Sequence, residues 1–180
     1  IIHLDKSHVF FSTEPGHLTF GKMTGITLND INCFLQRQLA IQMVNEFLPK
    51  GQLIVYTQGR KANRENYSSN GTGSSQELPI VVLVDEGSAS ASEIFAGAIQ
   101  DNDRGLIIGR RTFGKGLVQQ PIEFRDGSGM RLTIARYYTP SGRCIQKPYD
   151  KGNDVKYELD IINRYEHGEF FSKDSIKQDE

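Results

Sequence analysis

The sequence predicts an α/β fold, and three neighbouring segments carry that prediction. Pro79-Ile-Val-Val-Leu-Val84 is a continuous, β-branched apolar run, the pattern of a strand buried on both faces. Residues 92–104, SEIFAGAIQDNDR, place apolar side chains at helical spacing and should stop near Asp103. Gly105-Leu-Ile-Ile-Gly-Arg110 is a second apolar run that reads as another buried strand. Strand, helix and strand in this short compass make a βαβ unit, so the two strands should run parallel.

The other elements follow in chain order. His8-Val-Phe-Phe11 and residues 17–23, HLTFGKM, each fit a short strand. From Leu28 to Leu48, apolar residues recur at helical spacing, and Pro49 and Gly51 end the pattern. Gly51 to Gln58 then reads as a strand. Residues 59–78 are polar and rich in Gly, Ser and Asn, which predicts a long surface loop. Asn66-Tyr-Ser and Asn70-Gly-Thr in that loop fit the glycosylation tripeptide, but such triplets arise by chance in Ser/Asn-rich sequence. Leu117–Phe124 and Met130–Thr139 are strands joined by Arg125-Asp-Gly-Ser-Gly129, where Asp126-Gly127 signals a hairpin turn. The end of the chain is charged, with residues 160–165, DIINRY, as its one helical stretch. The organisation is therefore a segment 1–36, a core 37–148 and a charged extension 149–180.

Composition narrows the function. The 180 residues are 37% hydrophobic and 24% charged, as in ordinary globular domains. A net charge of −1 leaves no cationic excess for phosphate contacts, which argues against a general nucleic-acid binder. No apolar run is long enough to cross a bilayer, and the first residues lack the pattern of a signal peptide. Cys33 and Cys144 are far apart, with no metal-knuckle spacing, and read as free thiols. His3, His8, His17 and His167 lie near the chain ends, outside the apolar centre. A histidine triad or zinc site is not expected, and neither is a cofactor.

Two junctions carry chemistry. Asp85-Glu-Gly-Ser-Ala-Ser-Ala-Ser-Glu93 leaves the first buried strand for a helix N-terminus, where open α/β sheets bind ligands. A serine there can expose its hydroxyl beside unpaired N–H groups suited to an oxyanion. Ser90 with Glu93 also fits a capping box, and Ser88, Ser90 and Ser92 are not separable by composition. The second junction, Arg111-Thr-Phe-Gly-Lys-Gly-Leu-Val-Gln119, sets Lys115 between two glycines. Glycines on both sides suggest close backbone approach or angles that aim the lysine inward. A desolvated lysine loses proton affinity and can take a proton from serine. Gln119, four residues on, falls on the same side as Lys115 in either regular structure. The alternative is a glycine-rich turn with an exposed lysine. Gly116 stands where a P-loop needs Ser or Thr, and GxGxxG is absent, so phosphate loops are rejected.

Together the two junctions closely resemble the C-terminal processing peptidases, or tail-specific proteases. The carrying residues are 81–119, VVLVDEGSASASEIFAGAIQDNDRGLIIGRRTFGKGLVQ, and 132–146, LTIARYYTPSGRCIQ, with weaker similarity back to about Ala40. The resemblance implies a crotonase-like core of repeated strand–helix units. In that family the nucleophilic serine precedes the basic lysine by 25 positions, the spacing of Ser90 and Lys115 here. The resemblance further implies Gln119 as third member, Glu93 in support and the Ala91 backbone N–H as an oxyanion donor. It implies cleavage of proteins near their C-terminal tails through an acyl-enzyme, with protein or peptide partners, no nucleic acid, and room for a homo-oligomer. It also implies an extracytoplasmic setting, a bacterial periplasm or cell envelope. The chain departs from the pattern in three places. The family's DLRGNxGG-type loop, source of a second oxyanion N–H, is replaced by residues 26–40, ITLNDINCFLQRQLA, without a glycine pair. No PDZ module is recognisable, and residues 1–36 match poorly. A catalytically impaired peptide-binding domain is therefore the alternative, and an acyl-CoA enzyme of the wider crotonase-like class a distant third.

Overall fold

A computed structural model describes residues 2–4, 9–14, 17–19, 32–126, 128–149 and 154–172, with side chains from Arg37 onward except Asp154 and Glu158. It divides into two compact units, Ile1–Lys147 and Pro148–Glu180.

The first unit contains the βαβ segment. β6 (Val81–Val84) leads into α2 (Ala91–Asp101) and then β7 (Leu106–Gly109), and the two strands pair in parallel, Val81 opposite Leu106. Upstream lie β1 (Ile2–Leu4), β2 (Val9–Glu14) and β3 (His17–Thr19), of which β1 was not foreseen. They extend the sheet in the order β3-β2-β1-β6-β7, with β1 parallel to β6. The rest of residues 17–23 and the start of the Leu28–Leu48 pattern lie outside the described residues.

Two expectations need correction. The apolar run at β7 predicts a buried strand, yet Leu106 is 64% exposed and Ile108 is also exposed. The reason is position: among the described residues β7 ends the sheet, and Leu106 and Ile108 share the face turned away from Ile107, which packs against the core. In residues 59–78, the expected loop, β5 (Glu65–Ser68) pairs antiparallel with β4 (Leu53–Gln58). Period-two patterning was invisible because only Tyr67 in that strand is partly buried.

The second sheet is wholly antiparallel, in the order β5-β4-β9-β8, with β8 (Leu117–Glu123) and β9 (Gly129–Tyr138) as the predicted hairpin. Ser128 closes its turn, donating its N–H and hydroxyl to Asp126 Oδ1. Helix α1 (Asn32–Asn45) packs with α2 around the core, where Val44, Leu48, Ile54, Val82, Phe95 and Ile99 are essentially inaccessible. Phe47 meets Phe95 edge to face at 5.9 Å. Arg104 crosses the back of this core, donating to the carbonyls of Phe47, Ser75 and Leu78. That satisfies carbonyls that neither helix nor sheet would pair.

The second unit holds α3 (Asp154–Glu158) and α4 (Asp160–Glu166), the latter covering the helical stretch DIINRY. Its interior has a buried ion pair, Arg164 with Glu169 at 2.8 Å. Cys144 is a free thiol. Among the described residues no helix is long and apolar enough to cross a membrane.

Candidate active site

The site forms where β6 hands the chain to α2. Val84 ends the strand, and Asp85 opens a tight turn: the Ser88 N–H donates to Asp85 O at 3.0 Å, and the Asp85 N–H donates to Ser88 Oγ at 3.1 Å. Ser88 is thereby 0% exposed and committed to the turn. Ser92 lies inside the first turn of α2. Ser90 differs from both. It is the N-cap of α2, half-buried, with φ 58° and ψ −110°. Positive φ in a residue with a Cβ costs on the order of 1–3 kcal/mol and persists only where surroundings enforce it. Backbone conformation thus separates three serines that composition could not.

The enforcing partner is Glu93. Its carboxylate is 6% exposed and accepts four hydrogen bonds. Oε2 takes the Ser90 N–H and the Lys115 N–H, both at 2.8 Å. Oε1 takes the Gly114 N–H at 2.6 Å and the Thr112 hydroxyl at 2.7 Å. A buried carboxylate is tolerable only with its lone pairs satisfied, and the N-terminus of α2 adds a favourable dipole. The Glu93 arm of a capping box is therefore present, but the same carboxylate also fastens the lysine loop to the helix start. Thr112 was missed by sequence reasoning. No local signal marks a hydroxyl whose partner lies 19 residues away.

The glycines around Lys115 serve close packing. Gly114 has φ 83°, and a Cβ there would lie 2.8 Å from Lys147 Cβ. At Gly116 it would lie 2.5 Å from the Gln146 backbone nitrogen. Hydrogen bonds seal the contact: Lys147 N–H to Gly114 O at 3.0 Å and Gly116 N–H to Gln146 Oε1 at 3.0 Å. The expected close backbone approach is present. The inward aim is not, for the Lys115 side chain is exposed rather than desolvated.

The remaining candidates fall as follows. Gln119 is half-buried in β8, opposite Thr133. Lys115 precedes that strand and the register shifts between Val118 and Gln119, so simple alternation does not relate their side chains. Among the described residues no hydrogen bond joins the Lys115 amine to Ser90 Oγ or to Gln119. Ala91 is the first residue of α2, and the N–H groups of Ser92, Glu93 and Ile94 after it are bonded back to Ala89 or Ser90. Behind α2, an open cavity of about 280 Å³ lies between Glu93, Gly97, Arg111 and the Thr139–Ile145 segment. That segment is anchored through Asp101, which accepts the Ser141 N–H at 3.0 Å, the Ser141 hydroxyl at 2.7 Å, and Arg143. Burial pushes the Asp101 carboxyl up, but the bonds from Thr139, Ser141 and Arg143 outweigh it and hold it below the usual range.

Comparison with known proteins decides the family. The model of peptidase family S41 matches residues 36–156. The chain belongs to that family. A carboxyl-terminal-processing protease of Synechocystis sp. is 46% identical over 110 residues, 61% of this chain and 25% of its own length. A chloroplastic C-terminal processing peptidase of Tetradesmus obliquus is 44% identical over 122 residues, 68% of this chain and 26% of its own. A carboxy-terminal-processing protease of Bartonella bacilliformis reaches 51% over 108 residues, 59% and 25% of the two chains. Among solved structures, a photosystem II D1 C-terminal processing protease superposes with a TM-score of 0.57 at 42% identity, covering 61% of this chain and 28% of that one. The chain thus spans about a quarter of the curated relatives it matches.

Proposed function

We propose that this S41 chain carries the catalytic core of a serine endopeptidase, with Ser90 as nucleophile and Lys115 as general base. One observation supports it above the rest: Glu93 Oε2 accepts the backbone N–H of both residues at 2.8 Å. The two nitrogens can therefore lie no further apart than twice that distance. Lysine's flexible four-carbon stem is long enough to span such a gap. Apo catalytic contacts commonly tighten only with substrate bound.

In the proposed reaction, Ser90 Oγ bonds to the carbonyl carbon as its proton passes to Lys115 Nζ. The carbonyl oxygen becomes an oxyanion beside the Ala91 N–H. The C–N bond breaks as Lys115 returns the proton to the departing amine. Water then adds to the acyl carbon, gives a proton to Lys115, and Ser90 leaves with it. Gln119 holds the lysine amine, and Glu93 positions both partners without exchanging a proton. Cleavage of substrates near their C-terminal tails is supported by the names the relatives bear, while the crotonase-like core and an extracytoplasmic setting rest on the resemblance drawn from the sequence.

An impaired, peptide-binding domain is the second reading. Its support is the exposed Lys115 and the missing glycine pair in residues 26–40. A fluorophosphonate probe decides between them. Under the protease reading it labels the chain, and Ser90→Ala abolishes labelling while Lys115→Ala slows it. An unlabelled chain, together with equal turnover of a tail-bearing peptide by Ser90→Ala, refutes it.

A further inference from the structure

The outer face of the β4–β9 ladder carries a groove lined by none of the residues placed in that reaction, although one lining residue, Thr133, pairs with Gln119 across the hairpin. Gln58 and Arg136 are cross-strand partners, and Arg60 follows two residues beyond Gln58. With Thr133, Ile134 and Tyr138 they wall an open groove of about 530 Å³ that no carboxylate lines. Its concavity comes from Gly59, where any Cβ would collide with the Ile134 carbonyl, so the end of β4 lies hard against β9. The floor beside it is stiff. Tyr138 stacks on Tyr56 at 5.0 Å and 8°, and the Arg64 guanidinium sits 3.7 Å over the Tyr56 ring. Arg60 and Arg136 are exposed, and neither has an ion-pair partner among the described residues.

The apolar side chains beyond the groove complete the picture. Ile134, Leu132 and Met130 alternate along β9 with their side chains exposed, and Ile122 faces Met130 across the hairpin. One strand face therefore offers guanidinium forks at one end and an apolar stripe at the other. Guanidinium forks match carboxylates in bidentate geometry. The chain as a whole carries −1, so this cationic lining is a local feature rather than a general basic character. A concave slot suits side chains of an extended polypeptide better than a flat bilayer surface.

We propose that this groove docks an extended polypeptide segment that combines acidic and apolar residues, its carboxylate on Arg60 and Arg136 and its apolar side chains along Ile134 and Leu132. The proposal is independent of the Ser90 chemistry, because binding is read without cleavage. The probe is a short fluorescein-labelled peptide alternating Leu and Glu, titrated into the full chain by anisotropy, beside a twin with Gln for every Glu. Replacing both arginines, Arg60→Gln with Arg136→Gln, should weaken the acidic peptide roughly 2- to 30-fold, the range for two exposed ion pairs. The Gln twin should lose a similar factor, and added salt should narrow the gap. Lys50→Gln, an exposed charge outside the groove, should change nothing. Equal affinity for the two peptides overturns the proposal whatever the variants do. So does unchanged binding by the folded double variant, or arginine-dependent binding to anionic phosphatidylglycerol vesicles with none to the peptide.

Discussion

Glu93 Oε2 accepts the Lys115 backbone N–H at 2.8 Å, joining the start of a helix to a loop 22 residues further along the chain. The same oxygen holds Ser90 in its positive-φ conformation, so one buried carboxylate sets both halves of the candidate dyad.

Exchanging that carboxylate for an amide should therefore damage both stability and chemistry. Glu93→Gln turns one acceptor oxygen into an NH2 group facing N–H or O–H donors. Leaving such donors unsatisfied costs about 2–4 kcal/mol, readable as a lowered urea midpoint. Fluorophosphonate labelling should fall with it. An unchanged midpoint would mean that the carboxylate does not hold the site.

Ser90 offers the opposite signature. Ser90→Gly removes the strain of φ 58° while losing the hydroxyl. Strain relief of about 1–3 kcal/mol is partly offset by glycine's larger chain entropy. The variant should unfold at slightly higher temperature than the parent and show no labelling. A lower melting temperature would argue that the serine conformation is not strained.

The packing role assigned to Gly116 predicts a large effect from one methyl group. Gly116→Ala places a Cβ 2.5 Å from the Gln146 backbone nitrogen, and backbone cannot yield as a side-chain tip can. A loss of about 1–3 kcal/mol is expected, the cost of overpacking, with reduced labelling because the Lys115 loop shifts. Wild-type stability in this variant would show that the 145–147 segment moves freely.

Asp101 gives the fold a pH-dependent component. Its carboxyl is held below its ordinary range when folded, so the unfolded chain binds the proton first as pH falls. Its stabilisation is fully present above the unfolded value of about 3.9 and fades as pH drops towards the folded one. Asp101→Asn should lower stability at neutral pH and flatten the acid limb of the stability curve. Denaturant titrations on either side of the carboxylate range will test both points.

What was legible in the sequence follows the reach of the forces involved. The apolar runs at 79–84 and 105–110 and the helical spacing between them announced the βαβ unit, since strand and helix periodicity are local. Asp126-Gly127 announced the hairpin for the same reason. Burial of β7 was misjudged because an edge position depends on which strand lies beyond it, and β5 was hidden because its pairing is made by backbone. Within the site, the serine-rich turn and the glycine-flanked lysine stood out, and family spacing selected Ser90 and Lys115.

By itself, then, the sequence determined the α/β class, the order of the strands and helix around the site and the residues that could bear the chemistry. The tertiary structure decided how those residues relate. It bent Ser90 to positive φ, buried Ser88 in a turn, left Lys115 exposed and brought Thr112, Gly114 and Lys115 onto Glu93. Periodicity records which way a residue faces on its own element. It says nothing of which oxygen will be waiting on another, because that partner is set by the packing of whole elements.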